Sequence, residues 1–563
     1  MSEEAKNLEL KIEEVNLNPE RNSFENSLRK RYSKKDVGLN FEVITETKIL
    51  GWENKLLESK LSIRDFSNIT DADILNEVYN DLKISRIIKG DIERTRVQES
   101  IYMPSFKDYI YQILIYYLNK NNIHYKQGLN EIAGPFILLK YKLKLSFIRI
   151  YKLFVCFIDK FLTNYFHEKD FYSLKSSFSL INLLLRYHDP ELFHKFENCM
   201  IMPDLYATSW IITLFSNKCS LNVIYYLWDK LILFEDTLFP IFFIIALLIL
   251  NRDKFLNVDS TVILSNLSQL DIQEIDEINK ILNFSNEIRD KTPYSFYLLS
   301  NKLEIFIYDS NNLKNLYEQF MPDKMLALPM FANDIFCITH KNLIGCPDEK
   351  CENFLKNKEK NNLSKCIYCR NNQIKKKIAY IILDIRIFPQ EKLNNNILSN
   401  EFSGFLPKTL RISKEQLDDE NFPKNILEEY KEEKENYHFI IITSETNYFE
   451  KYEKEFYKEQ RRKSNKNVLF FERNRELDTI KVNEKFKDKK EKEYILLKEF
   501  DNFKKLIEEM NREGYKYVSY VYGGYKQIHL YAMKYNIDLL EHGKDCILCK
   551  EEKQKRNSIF KFW

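Results

Sequence analysis

The chain has 563 residues, a length that allows about three to five domains. Lysine and arginine number 86 against 83 aspartates and glutamates, and a formal net charge of +3 argues against a polybasic protein and against nucleic acid as a partner. Hydrophobic residues make up 44% of the chain, which excludes wholesale disorder. Only 11 glycines and 13 prolines are present, so we expect a mostly helical chain.

Neither the N-terminal residues nor the longest apolar run indicates a secreted or membrane protein. The first residues are charged and contain no apolar core of a secretory signal. The longest apolar run, 238–250, is too short to cross a bilayer and predicts a buried core helix. We therefore expect a cytoplasmic protein without a transmembrane segment.

The first half of the chain has a helical pattern. Residues 1–40 are polar with little periodicity and predict a mobile N-terminal segment. Over residues 41–305 apolar side chains recur at helical spacing, with prolines at the expected joints between helices. This stretch predicts an all-α domain.

The second half changes its period. Residues 306–376 predict a cysteine-bearing connector, and over 377–545 short β-branched or aromatic runs alternate with helical segments. Strands alternating with helices predict an α/β domain with a parallel sheet. A highly charged stretch around 446–500 is expected to be a solvated insertion. Residues 546–563 are expected to form a short C-terminal tail.

Two motifs in the helical half carry chemistry. An I-x-x-D-x-x-R segment ends at Arg94, and a Y-x-Q-G segment starts at Tyr125. A W-x4-F pattern from Trp210 and a Trp228-Asp229 pair follow, ahead of the apolar run. Together they resemble the TBC domain, the family of Rab GTPase-activating proteins. Trp52, four residues after a lysine where the family expects arginine, adds a weaker match.

The TBC resemblance implies a role for each motif residue. Arg94 corresponds to an arginine finger that stabilises charge on the transferring phosphoryl group of a GTP-bound Rab. Gln127 corresponds to a second finger that orients the attacking water. Asp91 would hold the Arg94 segment, and Tyr125 and Gly128 would shape the turn that presents Gln127. The protein would then supply residues in trans rather than act as an enzyme itself.

The α/β half has a resemblance of its own. The L-D-x-R segment at 383–386 and the Gly523-Gly524 turn are similar to the opening and closing turns of a rhodanese domain. A rhodanese needs a cysteine nucleophile in the loop after its central strand, but the strand 438–445 leads into Thr446 and Asn447 with no cysteine nearby. Without a thiolate there is no sulfur transfer. We therefore expect an inactive fold that serves as an interaction module.

This domain order leaves two functions open. It resembles the TBC–rhodanese adaptors that capture endosome-derived vesicles at the trans-Golgi, which implies endosome-to-Golgi retrograde transport, a peripheral place on Golgi or endosomal membranes, and coiled-coil Golgi tethers and endosomal sorting proteins as partners. The animal adaptors lack both fingers, whereas Arg94 and Gln127 are present here. One hypothesis is a Rab GAP in membrane trafficking, and the alternative is a non-catalytic tethering adaptor.

Six of the ten cysteines fall into close pairs, a spacing that suggests a structural zinc site in which four thiolates fill the coordination sphere. One set of four lies in the connector, the other joins its second pair with the last pair, and His542 is an alternative ligand. The candidates are Cys346, Cys351, Cys366, Cys369, Cys546 and Cys549.

No other cofactor is expected. Cys156, Cys199, Cys219 and Cys337 stand apart from the pairs and are interpreted as core or incidental residues. The chain contains no Walker loop and no G-x-G-x-x-G motif, so it is not expected to bind GTP or a dinucleotide itself.

Overall fold

A computed structural model describes residues 44–57, 65–97, 105–234, 236–307, 311–340, 346, 378–387, 404–446, 484–543, 546 and 548–549. The predicted N-terminal segment, most of the charged insertion and most of the tail lie outside these residues. So do Cys351, Cys366 and Cys369.

Residues 44–320 form what we call the helical half, and the predicted all-α domain is confirmed. Its helices are α1 (Glu46–Leu57), α2 (Asp71–Leu75), α3 (Leu82–Ile92), α4 (Phe106–Asn121), α5 (Leu129–Leu143), α6 (Phe147–Phe161), α7 (Thr163–His167), α8 (Tyr172–His188), α9 (Pro190–Asn198), α10 (Pro203–Ile212), α11 (Leu221–Phe234), α12 (Phe239–Leu250), α13 (Asp253–Leu256), α14 (Ser260–Ser268), α15 (Ile275–Lys291), α16 (Ser295–Lys302) and α17 (Leu313–Phe320).

The apolar run at 238–250 is a buried helix, as expected. It forms α12, whose residues from Phe239 to Leu248 are all buried, and α12 packs against α15. A helix that is apolar all round is stable only where every face is covered, so α12 lies inside the core. Among the described residues, every helix is too short or too polar to span a membrane.

A buried hydrogen bond joins the first helix to the Trp-Asp motif. The indole Nε1 of Trp52 donates to Oδ1 of Asp229 at 2.9 Å, and both side chains are buried. The Nζ atom of Lys48 lies 4.0 Å from Oδ2 of the same carboxylate. Trp228, the residue before Asp229, donates its indole N–H to the carbonyl of Leu214 at 3.0 Å. These motif residues therefore stabilise the helical core.

The described residues between 328 and 549 form what we call the α/β half, which contains the predicted parallel sheet. The strand order is β1 (Leu328–Met330), β5 (Val518–Val521), β4 (Tyr437–Ile442), β2 (Ala379–Asp384) and β3 (Thr409–Arg411), and each neighbouring pair is parallel. The helices are α18 (Ala332–Thr339), α19 (Lys414–Leu417), α20 (Lys424–Glu429), α21 (Glu484–Arg512) and α22 (Gly524–Tyr535).

Helices cover both faces of this sheet. Along β4, Phe439 and Ile441 pack on the side of α21, while Ile440 and Ile442 pack on the side of α18 and α22. Successive side chains of a strand point to opposite faces, so a strand buried on both sides is apolar throughout. This is why the strands of this half show continuous apolar runs.

Two boundaries differ from the sequence prediction. The sheet takes its first strand, Leu328–Met330, from the stretch predicted as connector, 306–376. A three-residue strand is too short to show any periodicity. The helix α21 begins at Glu484, so the stretch predicted as a charged insertion, around 446–500, ends in regular structure. Because charged residues dominate this stretch of sequence, the pattern does not reveal the apolar positions that pack further along the helix.

The two halves contact each other directly. The backbone N–H of Tyr517, just before β5, donates to the carbonyl of Tyr187 in α8 at 2.7 Å. The two tyrosine rings lie 5.3 Å apart in an edge-to-face arrangement. Arg186 donates from Nη1 to the carbonyl of Met325 at 2.9 Å. The sheet is therefore anchored on the C-terminal end of α8.

The bond between Trp52 and Asp229 gives a testable prediction. Trp52→Phe keeps the ring but removes the donor to a buried carboxylate, so we expect the helical half to lose about 1–3 kcal/mol of unfolding free energy in urea denaturation. In an Asp229→Asn background the same substitution should lower the unfolding free energy by less, because the buried negative charge that the indole stabilises is already absent. An equal cost in both backgrounds would show that the loss comes from packing and not from the hydrogen bond.

Candidate functional site

Arg94 lies just beyond the end of α3. The helix is capped at its start by Asp81, whose carboxylate accepts from the N–H groups of Lys83 and Ile84. It ends at Ile92, and the backbone N–H of Arg94 bonds to the carbonyl of Asp91 at 3.1 Å. The Arg94 side chain is 65% exposed, and its Nη2 donates to Oδ1 of Asp91 at 2.6 Å. An exposed guanidinium is thus held by a buried carboxylate.

The same carboxylate reaches the second motif. The hydroxyl of Tyr125 donates to Oδ2 of Asp91 at 2.9 Å, across 34 positions of sequence. Burial and the negative charge of Asp91 raise the pKa of Tyr125, so the hydroxyl keeps its proton and remains a donor. Asp91 therefore brings the Arg94 segment and the Gln127 loop together.

The loop that carries Gln127 is fixed by its neighbours. Gln127 is exposed, and Gly128 follows with a φ of +109° at the start of α5. A Cβ atom at Gly128 would lie 3.1 Å from Cδ1 of Ile212, so both the backbone and the space favour glycine. The N–H of Gly128 donates to Oδ1 of Asn130 at 3.1 Å. The turn is rigid around an exposed amide.

Asn130 and Thr95 are site residues to which the sequence analysis gave no role. Nδ2 of Asn130 donates to Oγ1 of Thr95 at 2.7 Å, and Thr95 donates to the carbonyl of Asp91 at 3.1 Å. Both side chains are buried. The available signal was an asparagine at the start of a mostly apolar helical segment, because a polar side chain that becomes buried there needs hydrogen-bond partners. These bonds form a second link between the two motif segments.

Lys126 holds the other side of the loop. Its Nζ donates to the carbonyls of Tyr165, at 3.0 Å, and Glu168. It also lies 4.1 Å from the centre of the Phe171 ring. Burial lowers the pKa of Lys126 to about 8. The loop is thus attached to the helical core on both sides of Gln127.

Comparisons with known proteins identify the domain in which this site lies. Residues 52–256 match the family model described as the Rab-GTPase-TBC domain. The helical half contains a TBC domain. The motif residues Arg94, Gln127, Asp91, Tyr125 and Gly128 all lie inside the matched range.

Curated relatives match over part of their length. The TBC domain-containing protein kinase-like protein of Homo sapiens is 30% identical over 152 residues, which are 26% of this chain and 17% of that protein. The protein of the same name from Dictyostelium discoideum is 27% identical over 182 residues, 32% of this chain and 17% of that one. This chain therefore spans less than a fifth of the length of these relatives.

A solved structure matches as well. The Chlamydomonas flagellar RabGAP TBC domain is 15% identical, with a TM-score of 0.36, and the match covers 47% of this chain and 89% of that one.

A second candidate site lies in the α/β half, where the strands end. The Gly523-Gly524 turn follows β5 and sits against the loop that follows β4. Gly524 has a φ of +66°, and a Cβ there would lie 2.7 Å from the backbone of Ser444. The N–H of Gly523 donates to Oγ1 of Thr446 at 2.6 Å. The two loops are therefore in close contact where ligands of open α/β sheets usually bind.

Charged side chains fill this end of the sheet. Arg386 and Asp384 form a buried ion pair with Nη2 and Oδ2 2.6 Å apart, and the guanidinium lies 3.8 Å from the centre of the Tyr525 ring. Glu499 accepts from the N–H groups of Ile387 and Ser444, each at 2.8 Å. The loop after β4 contains no cysteine in the sequence. The groups gathered here are charges and hydroxyls rather than a thiolate.

Two of the six predicted cysteine ligands, Cys546 and Cys549, lie in one cluster with two histidines. Cys346 is buried. Cys546 and Cys549 lie close to His529 and His542, and Cys346 is not a member of that group. His542 was anticipated as an alternative ligand, but His529 was not, because it lies inside α22 without any spacing signal. Cys351, Cys366 and Cys369 lie outside the described residues.

The remaining cysteines agree with their interpretation as core or incidental residues. Cys156, Cys219 and Cys337 are buried, and Cys199 is half-buried. Burial in apolar surroundings raises the pKa of the Cys219 thiol, which makes it a poor nucleophile.

Glu499 gives a prediction about pH. Burial raises its pKa to about 7, although three hydrogen bonds from Ile387 and Ser444 oppose the shift. The folded state then binds more protons than the unfolded state between about pH 4.5 and about pH 7, so the unfolding free energy falls as pH rises through this window. Glu499→Gln should remove a pH-dependent change in the unfolding free energy on the order of 3 kcal/mol. Urea unfolding at about pH 5 and about pH 8 measures it.

The matched control is Glu508→Gln, an exposed carboxylate on the same helix. It should leave the pH dependence of wild type unchanged, because it removes a carboxylate that lies at the surface and not in the buried end of the sheet. A Glu499→Gln curve parallel to the wild-type curve would show that Glu499 is ionised throughout this range.

Proposed function

We propose that this protein regulates membrane trafficking by accelerating GTP hydrolysis on a Rab GTPase. One observation carries the proposal. Arg94 and Gln127 are both exposed, and a hydrogen bond between Tyr125 and Asp91 joins the two segments that carry them. Both lie in the range that matches the Rab-GTPase-TBC domain. The partner is a Rab in its GTP form, because the charge to be stabilised develops on the γ-phosphoryl group.

Arg94 supplies the positive charge. An arginine finger given in trans is worth roughly 10³–10⁵ in rate, since it stabilises charge on the equatorial oxygens of the phosphoryl group. In the free protein Arg94 bonds to Asp91, and its side chain is 65% exposed. When the guanidinium turns to phosphate oxygens, the buried carboxylate of Asp91 keeps the hydrogen bond from Tyr125.

Gln127 supplies a neutral amide that both donates and accepts hydrogen bonds. Such a group can accept a proton of the attacking water while it donates to an oxygen of the nucleotide. The positive φ of Gly128 and the bond from its N–H to Asn130 hold the backbone next to Gln127. The amide is therefore presented by a rigid turn, which limits the entropy lost on binding.

The α/β half is proposed to be an inactive rhodanese-like module that binds other proteins. The proposal is supported by the parallel sheet, by the loop without a cysteine after β4, and by the buried Asp384–Arg386 pair that fills the ends of the strands. The non-catalytic tethering adaptor remains the second candidate. It rests on this half alone, since it needs no contribution from Arg94 or Gln127.

The test is single-turnover GTP hydrolysis by a panel of purified Rabs. Wild type should accelerate one or a few of them, and Arg94→Ala should reduce that acceleration by roughly 10³-fold or more. Gln127→Ala should reduce it as well, because the water loses its orienting amide. Folding of each variant is checked by urea denaturation.

The chain offers matched controls. Arg512 is 53% exposed and pairs with the carboxylate of Glu509 three residues earlier, as Arg94 pairs with Asp91. Gln269 is an exposed glutamine on the same half as Gln127. Arg512→Ala and Gln269→Ala should keep full activity. Full activity of Arg94→Ala, or no acceleration of any Rab by folded wild type, would contradict the GAP proposal and favour the adaptor.

A further inference from the structure

Four metal-ligating side chains converge at the C-terminal end of the α/β half. His529 lies within α22, His542 follows the bridge between Phe405 and Leu540, and Cys546 and Cys549 come next. One ligand atom from each of the four lies within 4.8 Å of all the others. His529 and Cys546 are fully buried. The cluster is separate from the Arg94 site.

The spacing of these atoms matches the edges of a zinc tetrahedron. With Zn–N near 2.0–2.1 Å and Zn–S near 2.3 Å, tetrahedral edges are about 3.3 Å for N···N and about 3.6 Å for N···S. Nε2 of His529 lies 3.1 Å from Nε2 of His542 and 3.3 Å from each sulfur. The sulfur of Cys549 lies 3.7 Å from Nε2 of His542.

Hydrogen bonds alone do not account for this arrangement. A ring nitrogen of a neutral histidine carries either one proton or one lone pair, so it makes one good hydrogen bond. Nε2 of His529 has three polar neighbours within 3.3 Å: the nitrogen of His542 and the sulfurs of Cys546 and Cys549. A central cation satisfies all four atoms at once, because each directs a lone pair at it.

We propose that His529, His542, Cys546 and Cys549 bind one zinc ion. Two thiolates and two neutral imidazoles balance the charge of Zn²⁺, and binding releases the two thiol protons to solvent. Sulfur and imidazole nitrogen favour zinc over magnesium or calcium, which prefer oxygen. Four protein ligands leave no open position, so the site is structural rather than catalytic.

The position of the cluster indicates what the ion stabilises. His529 is on α22, whereas the other three ligands belong to the segment that follows this helix, so the ion closes that segment onto α22. Tyr525, one turn before His529, packs against the guanidinium of Arg386. The ion therefore supports the helix that covers the buried Asp384–Arg386 pair. Loss of metal should destabilise the α/β half and spare the TBC domain.

The test is the metal content of the full chain after expression in zinc-supplemented medium. The variant Cys546→Ser with Cys549→Ser should lose about one zinc ion per chain relative to wild type, because each ligand pair is half of the site. Cys199→Ser, which changes a half-buried cysteine of the helical half, is the control and should keep the wild-type content. The difference in zinc content between the variants distinguishes this site from any metal that the remaining cysteines hold.

A second variant covers the case in which the double substitution does not fold. His529→Ala removes a single ligand, and its zinc should be captured at least about 10-fold more readily by a competing chelator. Replacement of zinc by Co²⁺ should give the absorption of a tetrahedral site with sulfur and nitrogen ligands, and His529→Ala should change that spectrum. Unchanged zinc content in the double variant, or an unchanged spectrum and chelator competition in His529→Ala, would overturn the proposal.

Discussion

One buried carboxylate organises the TBC site. Asp91 accepts from Arg94 with one oxygen and from Tyr125 with the other, at 2.6 Å and 2.9 Å. Because the oxygens point to segments far apart in sequence, the carboxylate fixes both the arginine and the loop that carries the exposed glutamine. If Asp91 were absent, Arg94 would be a solvated side chain with many rotamers, and the loop would lose its link to α3.

The site combines rigid supports with two exposed side chains. Asn130, Thr95 and Gly128 form a buried network beneath the surface, while Arg94 and Gln127 stay exposed. Such a division suits a protein that completes the active site of another. The network holds the backbone in place, and under the proposed function only the ends of two side chains must change partners when a Rab binds.

The α/β half follows a different constraint, the burial of charge. Asp384, Arg386 and Glu499 are almost fully buried at the ends of the strands, and their mutual contacts and backbone donors offset the cost of desolvation. These groups fill the position where an open α/β sheet usually holds a ligand. Side chains of this chain therefore occupy the ends of the strands themselves.

Sequence patterns predicted those parts that depend on local spacing. The helical half, the I-x-x-D-x-x-R and Y-x-Q-G motifs and the parallel sheet are visible as periodicity or as short motifs. Asn130 lies two residues after the Y-x-Q-G segment, but its bond to Thr95 depends on the packing of α3 against α5, which no local pattern encodes. His529 was missed for the same reason, since only the fold brings it to Cys546 and Cys549. The strand β1 was missed because three residues show no period.

The most direct test of the central claim is binding of a transition-state mimic. GDP with aluminium fluoride on a Rab imitates the transferring phosphoryl group, and an arginine finger binds this state more tightly than GDP alone. With a Rab that the protein accelerates, we expect aluminium fluoride to strengthen the complex with wild type and with Arg512→Ala but not with Arg94→Ala. An equal gain in affinity for Arg94→Ala would contradict the assignment of Arg94 as the finger.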